Sequence, residues 1–284
     1  MLKNSNHTGV SEKSGFFKLV TAAVILAALV AAGAGYHLLN GKKSAVVSEG
    51  TTCEFDCNGV PLEMVRLPEG SFRRGDGRVI SLTRGFWMGK FEVTQAQYEA
   101  VTGVNPSHFR GSRRPVEQVS WSEAKIFCDK LNRLCAGKLP AGYKFDLPTE
   151  AQWEYACRAG TATDFSYGDD SDTEKMNFDG NYPCGASRTG VYRQQTVDVG
   201  SLGYKNAFGL YDMHGNVCEW CRDNYGQYTA DAEDPAGPAS GLLRVFRGGS
   251  WYHFAKYCDS GFRNFWKPDF RYATLGFRVA LVKL

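Results

Sequence analysis

The chain has 284 residues, of which 43% are hydrophobic, so it is long enough to bury a substantial core. Its formal net charge is only +3 and no block of Lys or Arg stands out, which argues against a nucleic-acid partner. Thirty-two glycines against five methionines favour a loop-rich fold with special backbone angles over a helical bundle.

The first element along the chain is an uncharged apolar run at residues 19–39. At about 1.5 Å per helical residue, it is long enough to cross a bilayer core of roughly 30 Å. A cleaved signal peptide is the alternative, because small residues at 31–35 offer a cleavage site. We therefore expect a cytoplasmic tail at 1–18, an anchor or signal segment at 19–39 and a linker at 40–60. The rest of the chain would lie in the periplasm or outside the cell, as a single-pass membrane protein or, after cleavage, as a secreted one.

All nine cysteines follow the apolar run, as expected if some form disulfides in an oxidising compartment. Because nine is odd, at least one thiol must stay free, bind a metal or pair between chains. Two close pairs, Cys53/Cys57 and Cys218/Cys221, lack the further Cys or His ligands of a zinc site. We interpret these pairs as structural.

Three segments carry the N-cap and capping-box signals of helices. Their caps are Thr94, Ser120 and Thr149, each followed three residues later by Gln or Glu. Each predicted helix ends at a glycine suited to a left-handed C-cap: Gly103, Gly137 and Gly160. The middle helix places one apolar face toward the core, formed by Trp121, Ala124, Phe127, Cys128 and Leu131. An extended segment is predicted at 61–72, and short strands at 244–246 and 276–281.

Seven motifs follow one another along the chain: MVRLPEGSF, FEVTQAQYEAVTG, PVEQVSWSEAKIFCDKLN, LPTEAQWEYACRAGT, NAFGLYDMHGNVCEW, RVFRGGSW and LGFRVAL. In this order they resemble the formylglycine-generating enzyme family, also called sulfatase-modifying factors. The resemblance covers residues 61–284 and implies one domain. It implies an α+β fold, the family's variant of the C-type lectin fold, which is poor in regular secondary structure.

The resemblance also implies a structural calcium in GLYDMHGNVCEW. Its ligands would be two side chains and two carbonyls: Asp212, Glu219, Gly215 and Val217. Calcium takes hard oxygen ligands from a flexible loop, which this set supplies. A carboxylate pair in a solvated turn is the alternative. A second family calcium site would begin at Asn177 and Phe178, but its later acidic ligand has no clear counterpart at 190–192.

Members of this family oxidise a sulfatase cysteine to formylglycine with oxygen, and they hold copper(I) between two cysteines five residues apart. Soft thiolates are the ligands that copper(I) selects. Here the second position is Cys258 but the first is His253, so the copper pair is incomplete. Ser250 matches an active-site serine of the enzymes, whereas Thr274 stands where they have asparagine. The resemblance thus places any catalysis at Ser250, His253 and Cys258.

The stretch around Cys258 is crowded with rings where many bacterial relatives are rich in asparagine, although GGSW, Ala255, Cys258 and Arg263 are kept. A scaffold that is kept while its face changes is typical of a diverging ligand surface. It is similar to the variable proteins of diversity-generating retroelements, in which mutagenesis of adenines rewrites Asn codons on a lectin-like frame. The predicted ligand-binding residues are Tyr252, Phe254, Tyr257, Phe262, Phe265, Trp266, Phe270 and Tyr272. The alternative is that these rings fill the C-terminal core.

Two functions follow. The first is a membrane-tethered, calcium-stabilised domain that binds a protein, peptide or glycan. The second is generation of formylglycine with copper and oxygen. An oxidase needs a thiolate-competent Cys258 in a cleft on which Ser250 and His253 converge, whereas a binding domain needs only exposed rings.

Overall fold

The computed structural model describes residues 52–227 and 230–283. The predicted tail at 1–18, the anchor or signal segment at 19–39 and the first part of the linker lie outside these ranges. Among the described residues, no helix is both long enough and apolar enough to cross a membrane. Three α-helices lie within the ranges: α1 Gln95–Thr102, α2 Trp121–Leu134 and α3 Glu150–Arg158.

Short strands supply most of the remaining regular structure. In chain order they are β1 Thr52–Cys57, β2 Val60–Leu67, β3 Gly70–Arg73, β4 Val79–Leu82, β5 Phe86–Gly89, β6 Tyr143–Asp146, β7 Cys218–Asn224, β8 Ala232–Glu233, β9 Arg244–Arg247, β10 Arg263–Trp266, β11 Leu275–Gly276 and β12 Ala280–Lys283. They form sheets with the orders β1-β2-β5-β12-β6, β10-β9-β7-β11 and β3-β4-β8. This mixed, sheet-rich arrangement with few helices agrees with the predicted α+β fold.

β1 lies inside the range that was expected to be a linker. Its residues alternate between exposed and buried, and Cys53, Phe55 and Cys57 enter the core. It pairs antiparallel with β2 through a turn at Asn58 and Gly59, both of which have positive φ. The linker prediction is therefore wrong for residues 52–60, because TCEFDC has the period of a half-buried strand.

All three predicted capping boxes are confirmed. In each, the hydroxyl of the N-cap residue accepts a hydrogen bond from the backbone amide of the third helical residue. The side chain of that third residue in turn accepts a hydrogen bond from the backbone amide of the N-cap residue. Helix α1 ends at Gly103 with a φ of 88°, as predicted. The other two helices end slightly before their predicted glycines, α2 at Cys135 and α3 at the left-handed Ala159.

All nine cysteines lie in the described ranges, and none is bonded to another. The expected disulfides are therefore not present in this structure. Eight of the thiols are buried, and burial raises the pKa of both Cys53 and Cys57 to about 12. Such thiols behave as small apolar side chains, which agrees with the structural interpretation of the close pairs.

Helix α2 packs its predicted face against the sheet that contains β1. Phe127 is fully buried and meets the rings of Tyr98 and Phe277 at centroid distances of 5.6 and 5.3 Å. The neighbouring Ile126 points away from this core and is 52% exposed. The amphipathic pattern therefore assigns opposite environments to two consecutive apolar residues.

We expect Phe127→Ala to lower the free energy of unfolding by about 3–5 kcal/mol, because it leaves a cavity among packed rings. Ile126→Ala is the matched control on the same helix and should change it by no more than about 0.5 kcal/mol. Urea unfolding followed by circular dichroism measures both. Equal losses would contradict the placement of α2.

Candidate functional site

The ring-bearing stretch leaves β9 through Gly248 and Gly249, which have φ of 92° and 70°. A Cβ on Gly249 would clash with Cys258 Sγ, so only glycine lets the chain pass this close to the thiol. The stretch then forms a short 3-10 turn at Ala255–Tyr257 before it enters β10.

Three residues of this stretch lie in the interior: Ser250, Ala255 and Cys258 are fully buried. Ala255 and Cys258 pack in a small core cluster of their own with Phe165, Met176 and Phe178. These buried residues therefore anchor the loop, and Cys258 serves as packing beneath it.

None of the eight predicted ligand-binding rings is buried. Tyr252, Trp266 and Tyr272 are 55%, 49% and 53% exposed. The other five are half-buried: Phe254, Tyr257, Phe262, Phe265 and Phe270. The alternative that these rings fill the C-terminal core holds only in part: Phe270 packs against the main core cluster, but none of the eight is fully enclosed by it.

The rings contact one another in two groups. In the first ring cluster, Phe254 lies 5.9 Å from Tyr257, which lies 5.0 Å from Phe262, measured between centroids. The second ring cluster consists of Trp266, Phe270 and Tyr272, with centroid distances of 4.8 and 6.0 Å. All three rings of the first cluster are half-buried, whereas the second combines the half-buried Phe270 with the exposed Trp266 and Tyr272.

Rings from distant loops join this surface and were missed by the sequence analysis. Tyr182, which is 52% exposed, stacks on Phe254 at a centroid distance of 3.9 Å. Phe109 meets Trp251 edge-on at 5.2 Å. Each contact joins positions more than 70 residues apart, so no local sequence pattern could have identified it.

Ser250 and His253 lie together, but they do not form an open cleft around Cys258. Ser250 Oγ is 2.7 Å from His253 Nδ1, and the same nitrogen lies 4.0 Å from the sulfur of Cys218. Burial raises the pKa of Cys258 far above its usual value and lowers the pKa of His253. The thiol therefore stays protonated near neutral pH.

Two carboxyl groups of the predicted calcium loop, Asp212 and Glu219, lie near a third, Glu92. Glu219 is fully buried, pairs with Arg278 through both carboxylate oxygens at 2.7 Å, and also accepts from Trp153 Nε1. Burial raises the pKa of Asp212 to about 6, and the charge of Glu219 adds to the effect. The pKa of the buried Glu92 is likewise raised, by burial and by the charges of Asp212 and Glu219.

The two predicted calcium segments lie side by side. Gly215 forms an isolated bridge with Asn177, and its φ of 80° and its contact with the Asn177 carbonyl exclude any side chain there. Asn177 is buried and its Oδ1 has no hydrogen-bond partner, while Phe178 is also buried. A buried oxygen without a hydrogen-bond partner is available as a ligand for a cation. In residues 52–227 and 230–283, however, no group of three or more His, Cys, Asp or Glu side chains is arranged to hold a metal.

The buried Glu117 hydrogen-bonds the backbone of Phe109, a residue that contacts the ring-bearing stretch. It is fully buried, and its Oε1 accepts the amide of Phe109 at 2.7 Å, while its Oε2 has no hydrogen-bond partner. Burial raises the pKa of Glu117 to about 7. Since Phe109 packs on Trp251, this carboxyl helps to fix the base of the ring surface.

The sequence comparisons agree with the motifs. Residues 52–283 match the family model of the sulfatase-modifying factor enzyme 1-like domain. The chain is 33% identical to the formylglycine-generating enzyme of Mus musculus, over 66% of this chain and 50% of that protein. It is 34% identical to the Streptomyces coelicolor enzyme of the same name, over 63% of this chain and 54% of that protein. It thus spans about half the length of these two relatives.

Two solved structures resemble the fold over most of the chain. Treponema denticola variable protein 1 has a TM-score of 0.71 and 30% identity, covering 82% of this chain and 99% of that one. PvdO from Pseudomonas aeruginosa has a TM-score of 0.67 and 28% identity, covering 86% and 100%. These structural similarities support the predicted α+β, C-type-lectin-like fold.

We expect Glu117→Gln to change the pH dependence of stability. Because the pKa of Glu117 is about 7 in the folded chain and 4.5 for an ordinary Glu, its protonated form favours folding. Its contribution is complete below pH 4.5 and is lost as the pH rises through 7. Glutamine does not ionise, so the variant should lose less stability across this interval. Thermal unfolding between pH 4.5 and 8 measures this, and parallel curves for variant and wild type would contradict it.

Proposed function

Since the chain belongs to the sulfatase-modifying factor family, we propose that it is a binding member whose loops at 251–272 hold a protein, peptide or glycan. The observation that carries the proposal is that eight rings lie within one stretch of the chain and that none of them is buried. Rings bury much apolar area at a small cost in side-chain entropy, which makes them frequent hot spots of binding.

The likeness to Treponema denticola variable protein 1 supports this proposal, because the chain matches 99% of that protein. We infer that the loops at 251–272 are the part of the domain whose amino-acid sequence varies between variants, while Ala255 and Cys258 hold these loops to the rest of the fold. The apolar run at 19–39 favours a domain that acts outside the cytoplasm, tethered to the membrane or, after cleavage, secreted.

Formylglycine generation is the second candidate, favoured by the 33% and 34% identity to two enzymes of that activity. The arrangement at His253 and Cys258 does not fit copper(I). His253 Nδ1 is hydrogen-bonded to Ser250 Oγ, the thiol of Cys258 is fully buried, and imidazole stands in place of the first of the two family thiolates. We therefore derive no oxidation step for this chain.

A calcium ion in the loop at 212–219 remains part of the proposal. Asp212 and Glu219 lie close enough to Glu92 for their charges to raise its pKa, and this crowding of carboxyl groups supports a cation there. Asp212 and the carbonyls of Gly215 and Val217 would hold it, with Glu219 shared with Arg278. The ion would stiffen the turn that leads into β7.

The ring surface is tested with a triple variant, Tyr252→Ser, Trp266→Ser and Tyr272→Ser. Wild type and variant are screened against a phage-displayed peptide library and a glycan array, and the affinity of each recovered ligand is then measured. We expect the triple variant to bind at least about thirtyfold more weakly, because each exposed ring contributes a hot spot.

The matched control removes three exposed apolar side chains outside the loops: Val104→Ser, Ile126→Ser and Leu242→Ser, which are 59%, 52% and 87% exposed. This control should keep the affinity of wild type. Ligands that bind both triple variants equally well, or no ligand at all, would contradict the proposal.

Calcium is tested by thermal unfolding with and without a chelator. If calcium is present at about 100 times its Kd, its removal should lower the Tm by roughly 5–10 °C, and added calcium should restore it. Asp212→Asn should abolish the response, whereas the exposed control Asp129→Asn should retain it. A Tm that does not respond in wild type would contradict the calcium proposal.

A further inference from the structure

A cleft lies beside the first ring cluster, between the loop at 181–184 and the 3-10 turn at Ala255–Tyr257. Its volume is about 490 Å³, within the range of roughly 300–1,000 Å³ that is usual for small-molecule sites. The amide of Ala255 donates to the carbonyl of Tyr182 at 3.1 Å, which holds the two segments together. The described residues that line the cleft come from both segments: Asn181, Tyr182, Pro183, Cys184, Phe254 and Lys256.

The apolar wall of the cleft is a pair of stacked rings. Tyr182 lies on Phe254 with a centroid distance of 3.9 Å and an angle of 27° between the ring planes. Because Tyr182 is 52% exposed, part of its ring remains open to a ligand. Pro183 adds a further apolar surface. Rings of this kind offer a large contact area at a small cost in side-chain entropy, so they favour an apolar group in the cleft.

Asn181 provides an accessible hydrogen-bond acceptor. The residue is exposed, and its Nδ2 donates to Asp179 Oδ1 at 2.9 Å. This bond fixes the nitrogen of the side-chain amide and leaves the amide oxygen to accept from a ligand. A backbone N–H of a peptide is a donor of the required kind.

Lys256 is the one charged residue among the described residues that line the cleft. Its side chain is exposed, and its Nζ lies 4.9 Å from the ring centroid of Tyr257. It forms no ion pair with an acid in residues 52–227 and 230–283. The ammonium is therefore held near the ring by a cation–π contact and can still pair with an anion.

Two acids near Cys184 do not belong to the cleft walls. Burial raises the pKa of Cys184, and the charges of Asp164 and Asp259 add to the effect, yet neither acid lines the cleft. Asp259 Oδ1 accepts the amides of Gly261 and Phe262, each at 2.6 Å. The charge on the described walls of the cleft is therefore positive.

We propose that this cleft binds an acidic residue of a peptide or protein together with an apolar neighbour of that residue. The carboxylate would pair with Lys256, and the apolar side chain would pack on Tyr182 and Phe254. A backbone N–H of the ligand would donate to Asn181. A sugar suits the cleft less well, because its hydroxyls need several hydrogen-bonding partners and the ring and proline surfaces supply few. The inference rests on the proposed function, whose ligand it narrows from protein, peptide or glycan to an acidic peptide segment.

The test is calorimetric titration of the full chain with two dipeptides, acetyl-Phe-Glu-amide and acetyl-Phe-Gln-amide, at millimolar concentrations. The Glu dipeptide should bind saturably at one site and about threefold more tightly than the Gln dipeptide, because an accessible ion pair makes a modest contribution. High salt screens the pair, so the preference should weaken there.

Three variants separate the two parts of the cleft. Lys256→Gln removes the charge, so it should bind the two dipeptides with equal affinity. Lys267→Gln is the matched control, since this exposed lysine of the same stretch does not line the cleft, and it should keep the threefold preference. Tyr182→Ala removes the ring wall and should weaken both dipeptides about tenfold while the variant remains folded by circular dichroism.

The inference is overturned if the Glu dipeptide does not bind saturably, if wild type binds both dipeptides equally, or if the preference survives in Lys256→Gln. Tighter binding of glucuronic acid, which carries the carboxylate on a sugar, would also overturn it. The ring triple variant leaves the cleft unchanged and should still bind the Glu dipeptide. Library ligands that are weakened by the ring triple variant but not by Lys256→Gln would support the ring surface and contradict the cleft, so the two failures give different results.

Discussion

The structure depends on one buried ion pair, between Glu219 of β7 and Arg278 just before β12. Both side chains are fully buried, and two of their N–O distances are 2.7 Å. The same guanidinium donates to the carbonyls of Gly89 and Tyr211. One side chain thus joins the five-stranded sheet at Gly89, the four-stranded sheet at Glu219 and the residue just before the loop at 212–219. Loss of either charge would leave the other buried without a partner, which is strongly destabilising.

With the frame fixed in this way, the loops between β9 and β11 need to contribute few of their rings to the core, and Phe270 is one that does pack against it. Ala255 and Cys258 hold them down in a small separate cluster, and Gly249 lets the backbone pass over the thiol. This arrangement explains the crowding of rings around one cysteine. Cys258 holds the stretch to the interior, and the rings around it reach the surface in full or in part. A thiol in that role is fully buried and protonated near neutral pH.

The sequence predicted the parts of the fold that depend on neighbours in the chain. The capping boxes at Thr94, Ser120 and Thr149 bond within four residues, so local pattern was sufficient. The sequence did not identify Tyr182 as part of the ring surface or Cys218 as a neighbour of His253. Those contacts span 72 and 35 residues, and they exist only because the sheets bring distant loops together. The exposure of the eight rings was predictable only from their failure to follow a strand or helix period.

The central claim is that this chain binds through its ring surface and does not oxidise a cysteine. It is tested most directly by incubating the full chain with copper(I), oxygen and a sulfatase-type peptide containing Cys-x-Pro-x-Arg, with mass spectrometry to detect formylglycine. A Cys258→Ser variant shows whether any copper retained depends on that thiol. The account predicts an unchanged peptide and no copper binding that depends on Cys258. Formylglycine produced by the wild type and not by the variant would contradict it.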